Sequence, residues 1–73
     1  MYFERLKMLR NELKLSQNDL GEILGISQTV YSRYERGALT IPLEILLQLC
    51  EIYNVNSDFI LGRTNIRNID DIK

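Results

Sequence analysis

Residues 17–36 hold two apolar-periodic segments of about eight residues each, QNDLGEIL and QTVYSRYE, with a glycine, Gly25, in the turn between them. Two helices so short cannot lie antiparallel and bury much surface. They must cross steeply, and their contact needs a small residue where the axes approach. Gly21 is that residue. Leu20, Leu24, Ile26, Tyr31 and Tyr34 then fill the angle between the two helices and the rest of the core. With both tyrosines facing inward, Ser27, Gln28, Thr29, Ser32 and Arg33 are left outside. The spacing therefore predicts a short, projecting helix with a polar, hydrogen-bonding face.

The flanking sequence supplies the remaining walls of an all-α fold with four or five short helices. Tyr2, Leu6, Leu9 and Leu13 recur at steps of three and four, the signature of one helix face, and Lys14 and Leu15 break it. Ser16 opens Ser-Gln-Asn-Asp, a capping-box variant with Asp19 in place of the usual Glu. The helix that follows is expected to bury Leu20, Ile23 and Leu24 and to stop at Gly25. A glycine takes the left-handed conformation there without the roughly 1–2 kcal/mol that a side chain adds. Ile26 plugs the turn, Ser27 caps the next helix, and Gly37 ends it. Pro42 suits a helical first turn because its missing N–H has no partner there. Leu43, Leu46, Leu47, Cys50 and Tyr53 mark the expected buried face of that fourth helix. Asn56 caps a very short fifth helix through Phe59 and Leu61, closed by Gly62. The tail, RTNIRNIDDIK, repeats Ile66, Ile69 and Ile72 at steps of three.

A length of 73 residues sets one domain as the limit, and such a domain buries only about 60% of its unfolded surface. A hydrophobic content of 45% fits a packed globule. No apolar run approaches the roughly 20 residues of a membrane span, and MYFERLKMLR mixes charge with hydrophobes, unlike a signal peptide. With one cysteine and no histidine, neither a disulfide framework nor a metal site is expected, and no cofactor is implied. A cytoplasmic setting fits best. No nucleophile–base pair and no Gly-rich phosphate loop is discernible, so an enzyme is not expected. The net charge of −1 runs against a dedicated nucleic-acid binder. Its distribution softens that objection: six basic and five acidic side chains lie in residues 1–37, three and five in 38–73.

Two long stretches, FERLKMLRNELKLSQNDLGEILGISQTVYSRYERG and IPLEILLQLCEIYNVNSDFILGRT, resemble the Cro/repressor-type helix-turn-helix family, the xenobiotic-response-element family of bacterial and phage regulators. The resemblance covers almost the whole chain. Several features coincide in register: LSQ before the second helix, Gly21, Gly25, YSRYERG and NVNSDFILGRT. It implies a compact five-helix, lambda-repressor-like domain over residues 1–63, with residues 64–73 as a tail. It also implies that the third helix enters the DNA major groove with its N-terminal residues over base edges. Ser27, Gln28, Thr29, Ser32 and Arg33 would then read bases. The chemistry agrees: Gln28 matches adenine N6 and N7, the Thr29 methyl suits thymine, and Arg33 forks onto guanine O6 and N7. Gln17, Asn18, Arg36 and Thr40 fall at positions suited to phosphate, with backbone N–H groups near Gly37 completing a clamp. Arg10 and Glu35 match positions that pair beneath the surface; otherwise they are two independent surface charges. The resemblance further implies a transcriptional repressor, a nucleoid-associated homodimer on a palindromic operator.

Alternatives stand beside these readings. Tyr31 and Tyr34 also suit a base-stacking platform for single strands. Cys50, on a leucine face with no histidine to activate it, reads as a small buried hydrophobe rather than a nucleophile. Asp70 and Asp71 read as a solvated tail. Ile66, Ile69 and Ile72 are either a frayed terminus or a dimer contact, which would lie either here or on the fifth helix around Phe59 and Ile60, since no second domain is present to dimerise through. The loop Ala38-Leu39-Thr40 departs from the charged or polar residues the family often has, which lowers the expected number of phosphate contacts. A different class of function, a protein-interaction module such as an antitoxin-like or immunity-type protein, also fits the near-neutral charge and the apolar loop.

Overall fold

The computed structural model describes residues 3–67. They form five α-helices in the order α1 (Glu4–Glu12), α2 (Gln17–Leu24), α3 (Gln28–Glu35), α4 (Leu43–Tyr53) and α5 (Ser57–Ile60). Among the described residues there is no strand, and no helix is long and apolar enough to cross a membrane. Tyr2, Ile69, Asp70, Asp71 and Ile72 lie outside the described residues.

Local chemistry sets the helix boundaries. Ser16 Oγ accepts from Asp19 N at 3.0 Å while Asp19 Oδ2 accepts from Ser16 N at 2.8 Å, a reciprocal capping box that starts α2. Ser27 Oγ accepts from Val30 N at 3.1 Å, and Asn56 Oδ1 from Phe59 N at 2.7 Å, starting α3 and α5. Gly25 closes α2 in the left-handed region at φ 73°. Pro42 stands one position before the first turn of α4, as its N-cap, with Leu43 the first helical residue.

The core gathers Leu6 and Leu9 of α1, Leu20 and Leu24 of α2, Tyr31 of α3, Leu49 and Tyr53 of α4, Val55, and Phe59 and Ile60 of α5. Four expected core positions are exposed: Leu13 and Ile23 each at 52%, Leu43 at 69% and Leu47 at 54%. Leu13 sits past the end of α1, where Lys14 turns the chain at φ 59°. Ile23 lies on the outer side of α2, away from the Leu20–Leu24 pair. In α4 the error is one of rotation. Eight of its 11 residues are apolar, so the pattern covers most of the helix circumference and does not say which arc faces inward. The core selects Leu49, which is fully buried, with Tyr53 one turn on.

Gly21 carries the closest helix approach. A Cβ built there would lie 2.8 Å from Ile26 O and 3.2 Å from Gln28 N, both backbone atoms that cannot swing aside. Ile26 N donates to Gly21 O at 2.9 Å, sealing the same contact. At the other end of α3, Arg10 Nε and Nη2 donate to the two Glu35 carboxylate oxygens, both at 3.1 Å. Arg10 and Glu35 are only 9% and 4% exposed. Arg10 Nη1 also donates to Leu15 O at 2.9 Å, and Phe3 N to Glu35 O at 3.1 Å. The hydrogen bond to Glu35 outweighs burial and raises the guanidinium pKa above its ordinary value. One buried fork thus joins α1, the α1–α2 loop and the end of α3.

Residues 64–67 are held against α1 and α5. Arg5 donates to Phe59 O, Thr64 O and Asn65 Oδ1 with its guanidinium over the Phe59 ring, and Arg67 forks onto Glu12 at 2.7 and 2.8 Å. Asn56 N donates to Arg67 O at 2.7 Å.

Two substitutions test this account of the packing. Gly21→Ala gains about 1 kcal/mol of helix propensity but overpacks against backbone, costing up to about 3 kcal/mol. Urea denaturation is expected to show a net loss of roughly 1–2 kcal/mol, and a stabilised variant would contradict the close approach. Glu35→Ala strands a buried guanidinium and is expected to cost about 3–5 kcal/mol. Replacing both partners by apolar residues, Arg10→Met with Glu35→Leu, is expected to recover most of that loss in the same measurement.

Candidate nucleic-acid interface

The outer surface of α3 is built by subtraction. Tyr31 is fully buried and Tyr34 nearly so, and the helix repeat then turns Gln28, Thr29, Ser32 and Arg33 to the other side. Gln28, Thr29 and Arg33 are exposed and Ser32 is half-buried. Thr29 and Arg33 are four apart, as are Gln28 and Ser32, so the four form two adjacent rows on one face. The tyrosines offer no stacking platform. Burial pushes the Tyr31 hydroxyl pKa well above the ordinary tyrosine value, and that hydroxyl faces Tyr53 OH at 3.5 Å.

Ser27 stands at the tip of this face, but its Oγ is engaged in capping Val30 N. Its hydroxyl hydrogen remains a donor for an outside acceptor. Gln28 and Thr29 occupy the first two helical positions, where backbone N–H groups lack intrahelical partners and the helix dipole is positive. Gln17 is the first residue of α2 and lies four before Gly21. The two therefore share the α2 face that crosses the start of α3, which puts Gln17 on the side of Gln28. Asn18 is exposed, and its amide donates to Glu22 Oε1 at 3.5 Å, so an anion approaching Asn18 also meets a carboxylate.

At the far end of α3, Arg36 and Thr40 are exposed. The backbone donors between them are engaged. Gly37 N donates to Tyr34 O at 3.1 Å, and Ala38 N and Leu39 N both donate to Arg33 O, at 2.8 and 3.3 Å. The backbone clamp expected near Gly37 is therefore unavailable to a phosphate, and grip at this end falls to the side chains of Arg36 and Thr40.

The sign of the surface follows from the same geometry. Glu35 is the one acid of α3, and it is buried on Arg10. The exposed charges of α3 and its C-cap are thus Arg33 and Arg36, both positive, in a chain whose net charge is −1. Composition alone hides this local sign.

Nothing else among the described residues competes as a chemical site. No group of His, Cys, Asp or Glu side chains there is placed to hold a metal ion. Cys50 is half-buried, and desolvation raises its thiol pKa, the opposite of what a nucleophile needs.

A family model described as helix-turn-helix matches residues 6–60. Similar curated proteins include the HTH-type transcriptional regulator YobD of Bacillus subtilis (strain 168), 40% identical over 89% of the chain and 58% of that protein. The SPbeta prophage-derived HTH-type transcriptional regulator YonR of the same organism is 36% identical over 99% of the chain and 68% of its own length. The antitoxin PezA of Streptococcus pneumoniae serotype 4 is 32% identical over 93% of the chain and 43% of its own length. The chain spans only 43% to 68% of the length of these relatives. No solved structure matches it significantly.

Proposed function

The chain belongs to the helix-turn-helix family, and from that premise we propose that it is a sequence-specific double-stranded DNA-binding regulator that lays α3 in the major groove. The observation that carries this reading is the outer face of α3. It is polar and positively charged, and it is backed by two buried tyrosines that hold it rigid. Gln28 pairs with adenine N6 and N7, the Thr29 methyl packs on thymine, and Arg33 forks onto guanine. Ser32 and the Ser27 hydroxyl complete the base-reading row. Gln17, Asn18, Arg36 and Thr40 hold phosphates on either side. Family membership and the regulators among its relatives point to a non-enzymatic role.

Repression by occupying an operator is the mode that such a domain needs least to perform. It requires tight site binding and nothing more. A two-fold dimer on an inverted repeat, with half-sites about 34 Å apart, doubles the contact surface without new residues. Residues 64–73 are the proposed dimer contact beside the DNA-binding domain of residues 1–63, and Ile66 is exposed there. The setting is the cytoplasm, on the nucleoid.

A second reading has one observation in its favour: a relative named as an antitoxin aligns with 93% of the chain. In that reading the main partner is a protein. Arg33→Glu separates the two, because it abolishes DNA binding and leaves a partner docked elsewhere in place.

Selection from random duplex DNA at physiological salt, run with wild type and Gln28→Ala/Arg33→Ala, is expected to enrich an inverted repeat with wild type only. A folded wild-type protein that enriches no sequence would remove the DNA-reading proposal. Side-chain grip alone implies about 3–5 phosphate contacts per protomer, hence a slope of log affinity against log salt of roughly −3 to −5. Arg36→Ala is expected to reduce that slope by about 1 and leave sequence preference intact. A slope near −10 per protomer would mean that many more contacts exist than these side chains supply.

A further inference from the structure

α4 presents a face that DNA reading does not use. At about 100° per residue, Leu46, Cys50, Leu43 and Leu47 fall within one arc of roughly 100°. Leu46 and Cys50 are half-buried, whereas Leu43 and Leu47 are 69% and 54% exposed. The apolar side of α4 thus continues past the edge of the core and out to the surface. Beside Leu46 runs a groove of about 330 Å³, its further walls formed by Phe3, Leu39, Ile41 and Leu61. Leu39 and Leu61 are each 39% exposed. Isolated exposed leucines are unremarkable, but Leu39, Leu46 and Leu61 line this groove, and Leu43 and Leu47 follow Leu46 on the same side of α4, a patch of the kind that marks an interaction site.

Charge limits what covers it. Glu51 and Glu44 occupy the next arc of α4 beyond Leu47, both exposed, and α4 carries no Lys or Arg. An acidic border repels DNA, RNA and an anionic lipid surface alike. A second copy whose α4 packed antiparallel on this face about a two-fold axis would set this carboxylate edge against its own counterpart. The border instead complements cations held at the edge of an apolar stripe.

We propose that the Leu43–Leu47 face of α4 and its groove dock an amphipathic helix of a partner protein that bears Lys or Arg along one edge of its apolar stripe. The groove takes apolar side chains spaced i, i+4 and i+7, and Glu44 and Glu51 set orientation and exclude acidic competitors. No residue of α3 lines this surface, so the proposal is tested apart from the DNA-reading one.

The test uses the full chain and two synthetic helical peptides with leucine at i, i+4 and i+7, one edged with lysine and the other with glutamate. Fluorescence anisotropy is expected to show binding of the lysine peptide only, with amide chemical shifts moving at Leu43, Leu46, Leu47 and Leu61. Leu43→Ser/Leu47→Ser is expected to weaken it by roughly tenfold or more at unchanged Tm, because both side chains are exposed. Should that variant fail to fold, Glu44→Lys/Glu51→Lys supplies the same test by reversing the preference toward the glutamate peptide. Equal binding of both peptides, or of neither, overturns the proposal. Dimerisation of the chain that Leu43→Ser/Leu47→Ser abolishes also overturns it, by assigning the face to a second copy.

Discussion

At Gly21 the backbone of α2 touches the backbone where α3 begins, and the direction of α3 follows from that contact. A methyl group there would stand 2.8 Å from Ile26 O, so the crossing exists in this form only because position 21 has no side chain. The other end of α3 is held by Glu35, forked onto Arg10 and bonded through its carbonyl to Phe3 N. Between these anchors Tyr31 and Tyr34 seat the helix in the core. An eight-residue helix has little stability of its own. Here it is fixed at both ends and along one side, which leaves its outer face free to be chosen for recognition rather than for folding. Such rigidity matters because base edges discriminate only when donors and acceptors arrive already aligned.

Features set by neighbouring residues were legible in the sequence. The caps at Ser16, Ser27 and Asn56 and the left-handed turns at Gly25 and Gly62 each depend on a handful of adjacent atoms. The outward face of α3 was legible for a related reason: once two tyrosines at a helical step face inward, the helix repeat puts Gln28, Thr29, Ser32 and Arg33 on the other side. What failed was rotation. Leu43, Leu47 and Leu49 all fit an apolar α4, and the arc that faces inward is decided by what packs on the helix, α5 above all, and not by the helix's own pattern. Leu13 and Ile23 failed similarly, because periodicity marks a candidate face without saying whether anything packs on it. The engaged N–H groups of residues 37–39 were illegible too, since their acceptors depend on how the loop folds back over Arg33.

Net charge proves a poor guide to this surface. The acid nearest the proposed DNA-reading face, Glu35, is neutralised within the core, leaving Arg33 and Arg36 to set the local field. Asn18 is paired with Glu22, which tempers attraction at the other flank. In the proposed reading, a regulator built this way holds DNA with few ionic contacts and depends more heavily on base contacts. That arrangement limits affinity for arbitrary sequence, because nonspecific binding is almost wholly the phosphate term. Under that reading, discrimination between operator and bulk DNA gains from the very feature that makes the chain look unlike a DNA binder.

The segment from Gly37 to Ile41 belongs to both surfaces of the molecule. Arg36 and Thr40 flank its outer side, while Gly37, Leu39, Thr40 and Ile41 wall the groove beside α4. Its shape is set by two donors closing on Arg33 O, the carbonyl of the residue whose side chain is proposed to read guanine. Leu39 thus walls the groove with its side chain and reaches α3 through its backbone N–H. The apolar Ala38-Leu39 pair, which weakens the loop as a phosphate grip, is what makes it serviceable as a groove wall. The same substitution of character lowers one function and permits the other.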